Sequence, residues 1–251
     1  MGVSKRSGSS RLQSVNPSNN RQSECNKCNS HSCCIGDCLT PEQFSSLEKI
    51  IHLRGPFQPG ETIFKMEDPF KSLYIVRSGS VKTEGIMSNG TQLVEGFYFT
   101  GDIFGLEAIG DSHYHHDAVA LEPTWVCTLP YAQLETLCSF IPRLQHRLLN
   151  LLGQKIRQTN SIIGRGRYRK ADERALFFLE CLCKRNIGKK DGGRENIRLP
   201  MTKGDIASYL ALCPESLSRS LRKLEDRGII QNQKNAIEIL DLGTAFNDIC
   251  K

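Results

Sequence analysis

Five of the eleven cysteines in this 251-residue chain crowd between residues 25 and 38: Cys25, Cys28, Cys33, Cys34 and Cys38. Thiolates at that density form a soft ligand set, and both structural zinc and iron–sulfur clusters draw on such loops. The Cys25-x2-Cys28 spacing does not separate the two metals, nor does it say which of the sulfurs bind. The chain opens on a Ser-, Asn- and Arg-rich stretch without the apolar core of a secretory signal. With an odd cysteine count, this argues against a disulfide scaffold and for a reducing, cytoplasmic setting. Clustered cysteines there point to metal or redox chemistry. Cys127, Cys138, Cys181, Cys183, Cys213 and Cys250 are scattered, the pattern of small core residues. His113, His115 and His116 read as a polar loop rather than as ligands.

A second chemistry is written between Pro214 and Asp226. Leu217, Leu221 and Leu224 recur at helical spacing and must face inward, which leaves Glu215, Ser216, Ser218, Arg219 and Arg222 outward. Arg219 can donate to guanine O6 and N7, Glu215 can accept from a cytosine amino group, and Ser218 can do either. A Glu four residues before an Arg is equally an ordinary surface ion pair, so the setting decides. Thr202 caps a preceding helix with Ile206, Ala207 and Leu210 on its apolar face. Leu212 and Cys213 make a short turn, and Pro214 opens the next helix where its missing N–H costs nothing. Gly228 ends that helix, and Ile229–Gln231 with Ala236–Leu240 supply a β-wing. Such a unit presents the N-terminal residues of its second helix to the major groove. The charge agrees: residues 165–251 hold 18 Lys/Arg against 12 Asp/Glu, whereas residues 1–164 hold 15 of each.

The elements that position these residues follow from periodicity. Residues 1–24 have the composition of a disordered tail. Pro41 to His52 is expected to be a short helix with Thr40 as its N-cap. From Leu53 to Leu129, β-rich runs (Leu73–Arg77, Gln92–Phe99, Trp125–Leu129) alternate with Pro59-Gly60, Ser78-Gly79, Asn89-Gly90 and Gly101-Asp102, the mark of an antiparallel barrel or sandwich. After Pro142 the period turns helical. Leu144, Leu148, Leu151, Leu152, Ile156, Ile162 and Ile163 form an apolar stripe longer than one domain can cover, which favours pairing of two chains. Gly164, Gly166 and the basic run to Lys170 read as a hinge. Ala171–Lys184 reads as an amphipathic helix and Asn186–Asn196 as a polar loop. No apolar run reaches the roughly 18 residues of a membrane span. No phosphate-binding glycine loop, Ser/His/Asp set or HExxH motif suggests an enzyme.

This order of parts resembles the CRP/FNR family of transcription regulators, and Met201–Arg219, with its Glu215-x-x-Ser218-Arg219 set, is similar to the FNR branch. The likeness runs from about Cys25 to Leu242. It implies an α+β chain: a cluster loop and antiparallel β-roll sensor over 25–140, a dimerisation helix and hinge over 141–167, and a winged helix-turn-helix over 168–251. It further implies a homodimer on double-stranded DNA, at an inverted repeat of TTGAT-type half-sites one helical turn apart. The FNR branch holds a [4Fe-4S] cluster on Cys-x2-Cys-x5-Cys and a distal cysteine. The resemblance carries those roles to Cys25, Cys28, Cys34 and, in Leu121–Pro130, Cys127. Cys33 and Cys38 depart from that pattern, and a zinc or thiol sensor of the same fold is the alternative. RNA polymerase is the implied partner, with the Ser88–Thr91 hairpin as a contact. Where cyclic-AMP-binding relatives place Arg-Ser on the phosphate, this chain has His116-Asp117, whose carboxylate would repel the ligand. No cyclic nucleotide is expected. Thr159 stands where FNR relatives can carry an acidic residue that disfavours the cluster-free dimer.

Overall fold

The computed structural model describes residues 21–22, 25, 28, 34–86, 90, 92–166, 170–185, 188–191, 194–233 and 236–240. The Thr40 hydroxyl accepts from the Gln43 N–H, and the Gln43 side chain accepts from the Thr40 N–H. This reciprocal cap, with Pro41 in the first turn, starts α1 (Pro41–Ile50). The helix stops earlier than expected, because His52 already pairs with Thr128 in a sheet.

Around α1 the N-terminal half is built from β1 (Arg21–Gln22), β2 (His52–Phe57), β3 (Thr62–Phe64), β4 (Ser72–Ser78), β5 (Ser80–Ile86), β6 (Gln92–Phe99), β7 (Ile103–Phe104), β8 (Asp117–Ala120) and β9 (Thr124–Pro130). They pair antiparallel into two sheets, ordered β1-β2-β9-β4-β7 and β3-β8-β5-β6. The sheets close on an aromatic-rich interior that includes Phe64, Tyr74, Tyr98, Phe104 and Tyr114. β4 shows how one strand serves two layers: its side chains alternate, so Tyr74 and Val76 enter this interior while Leu73 and Ile75 join a second core on the outer side. Gly79 turns β4 into β5 with φ +87°, and a Cβ there would strike the Pro123 carbonyl at 2.7 Å, so only glycine fits.

Then come α2 (Tyr131–Phe140), α3 (Pro142–Gly166) and α4 (Ala171–Lys184), followed by α5 (Lys203–Tyr209) and α6 (Pro214–Asp226). The third sheet joins β10 (Gly188–Asp191), β11 (Arg194–Arg198), β12 (Ile230–Asn232) and β13 (Ala236–Ile239) in the order β10-β11-β13-β12. Two sequence expectations are corrected. The 186–196 segment is not only a loop: β10 and β11 form a hairpin, and Ile197 registers with Ile237 of the wing. Backbone pairing with β13 organises a segment whose polar side chains gave no β period. The hinge also begins later, since α3 runs through Gly164 and Gly166. A glycine costs a helix only about 1 kcal/mol relative to alanine, too little to end a long one by itself.

The winged domain rests on the β-roll. β6 is the edge of its sheet, and α5 covers it: the Val94 N–H donates to the Ser208 hydroxyl at 3.0 Å. Phe97 stacks obliquely on Phe178 and Tyr209, and a single core takes in Val94, Phe97, Phe99 and the apolar faces of α4, α5 and α6. Lys82, Arg185 and Arg198 make cross-contacts to Asp205, Asp102 and Glu122 at 2.7, 2.7 and 3.3 Å. No helix among the described residues is long and apolar enough to cross a membrane.

Candidate thiolate site and nucleic-acid interface

Strand alternation decides where Cys127 points. Val126 fills the roll interior, so its neighbour Cys127 faces the outer core, registered between Leu53 of β2 and Ile75 of β4. That outer core also contains Cys25, Ile35, Leu47 of α1, Leu134 of α2 and Leu144 of α3. The N-terminal loop is laid over it by specific bonds. The Cys25 N–H donates to the Glu48 carboxylate at 2.7 Å, and the Cys28 N–H donates to the Cys25 carbonyl at 3.0 Å. At Gly36 a Cβ would meet the Phe44 ring at 2.7 Å, so a larger residue would lift the loop off α1.

Three of the expected residues, Cys25, Cys34 and Cys127, border this core, and Cys28 follows Cys25 in the loop that covers it. Burial pushes the Cys34 thiol up to about 11, with further repulsion from Cys25 and Cys28. Burial likewise pushes Cys127 up to about 12, and Cys25, Cys34 and Cys28 each add to the repulsion. Cysteines that repel one another in apolar surroundings do not ionise together without a positive partner. Soft sulfur donors that need a cation to neutralise them fit an iron–sulfur cluster, and also zinc. As the side chains stand, no three His, Cys, Asp or Glu among the described residues are grouped to hold a metal ion. Cys33 lies outside the described residues. Cys38 turns away from this set, its Sγ donating to the Ile35 and Arg143 carbonyls at 3.9 and 3.8 Å. No disulfide joins the described cysteines.

The apolar stripe of α3 divides. Leu144 is wholly buried in the outer core of its own chain, which corrects its assignment to the pairing face. Leu148, Leu151 and Leu152 are half-buried against the same core. Ile156 is 60% exposed, and so is Leu149 at 59%, a residue the stripe omitted. Leu149, Leu152 and Ile156 share one face at heptad spacing, a signal that was present in the sequence but masked by five other apolar positions. The side chains of Ile162 and Ile163 lie outside the described residues.

In the winged domain, Thr202 and Asp205 form a reciprocal cap on α5, and Asp205 also accepts from Lys82. Burial opposes ionisation of Asp205, but the Lys82 and Thr202 hydrogen bonds outweigh it and hold its carboxyl below the usual range. Cys213 is the N-cap residue of α6, its carbonyl accepting from the Leu217 N–H at 3.1 Å, but its side chain caps no backbone N–H; its Sγ lies 3.0 Å from Ser216 Oγ. Leu217, Leu221 and Leu224 are buried, as is Ser220, which polarity had hidden. Glu215, Ser218, Arg219 and Arg222 are exposed, while Ser216 is half-buried and so less outward than expected. Glu215 and Arg219 make no ion pair: Arg219 Nε instead lies 3.5 Å from the Glu215 carbonyl.

The histidine loop holds no metal triad among the described residues. His115 pairs with Asp111 at 3.0 Å and His116 with Glu95 at 3.2 Å, while the Asp117 carboxylate accepts from the Met66 N–H at 2.7 Å. The Ser88–Thr91 hairpin lies outside the described residues apart from Gly90.

A β-roll followed by a long helix and a winged helix-turn-helix defines a DNA-binding transcription regulator. The family model for the cyclic nucleotide-binding domain matches residues 54–139, and that for the Crp-like helix-turn-helix domain matches 174–244. Electron transport regulator A of Shewanella oneidensis is 33% identical over 217 residues, 86% of either chain. The fumarate and nitrate reduction regulatory protein of Escherichia coli is 34% identical over 206 residues, 82% of either chain. In fold, FixK2 from Bradyrhizobium japonicum is similar with a TM-score of 0.69 at 24% identity, covering 78% of this chain and 95% of that one. The c-di-GMP responsive global regulator CLP of Xanthomonas campestris gives 0.67 at 18%, covering 80% and 100%. The chain belongs to the CRP/FNR family.

Proposed function

We propose that this regulator is oxygen-responsive, with Cys25, Cys28, Cys34 and Cys127 as the ligands of a [4Fe-4S] cluster. The observation that carries the reading is the placement of Cys127. It sits on a strand remote in sequence, yet borders the same apolar core as Cys25 and Cys34, and its thiol is raised further by Cys25, Cys34 and Cys28. When bound, the cluster would supply a cross-link between loop and β-roll that dioxygen can dismantle.

The chain's own residues do the rest. The loop, drawn onto α1 and the first turn of α3, stiffens the packing beneath Leu144 and sets the outward face Leu149, Leu152 and Ile156 for pairing with a second chain. Two chains so paired hold their α6 helices one helical turn apart on an inverted repeat, where Glu215, Ser218 and Arg219 read bases, and Ser216 and Arg222 support them on the backbone. Moving such an equilibrium from mostly off to mostly on takes roughly 5 kcal/mol of differential stabilisation. Thr159 lacks the charge that would repel its counterpart, so some dimer survives when the loop is released. Recruitment of RNA polymerase by the DNA-bound dimer follows from the family likeness. Cyclic nucleotide is disfavoured by the Asp117 and Glu95 carboxylates, which already occupy the local donors.

The test is purification without oxygen, with iron, sulfide and zinc assayed before and after air. About four iron per chain, with a visible absorption that bleaches in air as DNA affinity falls, is the expected result. A colourless chain holding zinc and no iron, with DNA binding indifferent to air, overturns the cluster and leaves the zinc or thiol sensor.

A further inference from the structure

The loop carrying Cys34 does more than present a thiol. It turns back on itself, the Asp37 N–H donating to the Cys34 carbonyl at 3.2 Å and the Leu39 N–H to the Gly36 carbonyl at 3.1 Å. The turn leaves Asp37 against α3, where its Oδ2 accepts from Arg147 Nη2 at 3.1 Å. One helical turn earlier, the Arg143 carbonyl accepts from Cys38 Sγ at 3.8 Å. Beneath them Ile35 and Leu144 lie buried in a common core. The ion pair sits at the rim of that core, with the Asp37 and Arg147 side chains 28% and 23% exposed. Arg147 Nε is buried and makes no hydrogen bond among the described residues. Asp37 is therefore the counter-charge of a partly desolvated guanidinium.

We propose that the Asp37–Arg147 ion pair is the coupling that carries the state of the Cys34 loop into α3, and so into the pairing of two chains. This rests on the reading of the four cysteines as a ligand site. Apolar contact such as Ile35 on Leu144 is non-directional and tolerates sliding. A charge pair with one half-buried member does not, because displacing Asp37 leaves Arg147 unpaired where water reaches it poorly. Gathering the cysteines about a common group fixes Cys34, and with it the carboxylate of Asp37. Release of the loop frees that carboxylate and lets the first turns of α3 shift under the pairing face. Each dimer contains the pair twice, so a modest energy per pair acts twice on the dimer.

The experiment compares dimer dissociation constants by sedimentation for chains loaded with ferrous iron and sulfide under nitrogen and for metal-free chains. Loading is expected to tighten the natural dimer. Asp37→Arg and Arg147→Asp should each cut that loaded-over-bare gain about tenfold, as expected of two partly exposed pairs per dimer, at unchanged iron content. Combining the two reversals should restore it, a rescue that loss of packing would not give. If Asp37→Arg takes up less iron, Asp37→Asn carries the same comparison with the loop's shape kept. A gain equal to the natural chain's in every single variant overturns the coupling and leaves the ligand site standing. A natural chain that takes up no iron overturns the ligand site and the coupling together.

Discussion

Arg219 stands on the exposed side of α6 with no carboxylate holding it, so its guanidinium is available to a base edge. Arg219→Ala is expected to cost about 1 to 3 kcal/mol of binding to a cognate repeat and to relax preference at one base pair. Competition binding over a panel of single-base variants checks this; an equal loss on every sequence would mean a phosphate contact instead. The outward residues were legible in the sequence because leucine spacing marks what faces in and leaves the remainder facing out. Ser220 escaped that logic: a small hydroxyl in a leucine-rich turn has no periodic signature of burial. Cys127 was singled out as a ligand only by family likeness. Its own residues describe a core position in a strand, and the side of the sheet it faces depends on Val126 filling the interior, a matter of tertiary packing.

At the scale of the element, α3 serves two masters. Its first turns belong to the outer core of the β-roll, and its middle leaves Leu149 and Ile156 exposed, the face we propose for a second chain. Leu144→Ala should therefore lower the unfolding free energy by about 2 to 5 kcal/mol, the usual result of emptying a filled core site. Leu149→Ala with Ile156→Ala should leave unfolding of the dilute chain nearly unchanged while raising the dimer dissociation constant. Denaturant titration at low concentration and sedimentation of the same samples separate the two effects, and the reverse pattern would refute the division. The helical period was plain in the sequence, but periodicity shows that a stripe will be covered without naming the cover. The β10–β11 hairpin was lost for a related reason: its order comes from the backbone pairing of β11 with β13, far along the chain.

In the molecule as a whole, the winged domain is held to the roll by Lys82 and Asp205, whose side chains remain only 17% and 13% exposed. Burial works against the Lys82 charge, but Asp205 and Glu84 outweigh it and hold its pKa above the ordinary value. Lys82 is raised, so its share of the docking is complete below 10.5 and disappears as pH climbs through the raised value. Asp205 is lowered, so its share is complete above 3.8 and disappears as pH falls through the depressed value. Docking should therefore be insensitive to pH across the neutral range and weaken both in strong acid and in strong alkali. Lys82→Gln should weaken it by about 1 to 3 kcal/mol, seen as faster hydrogen exchange at the Val94 amide. An unchanged Val94 rate would show that the aromatic contacts hold the domains unaided. The sequence displayed both domains but not their contact, since two charged residues 123 positions apart carry no pattern.

The cover that α5 lays over β6 gives the winged domain a protective duty as well. An open sheet edge is a template for another chain's strand. Here that edge would also bare Val94, Phe97 and Phe99. An N-terminal half cut away before α4 would thus be an adhesive fragment rather than a simpler version of the protein. Whatever separates the two domains in the intact chain, even briefly, uncovers a surface prone to aggregation, which gives selection a reason to keep the domains docked that is independent of reading DNA.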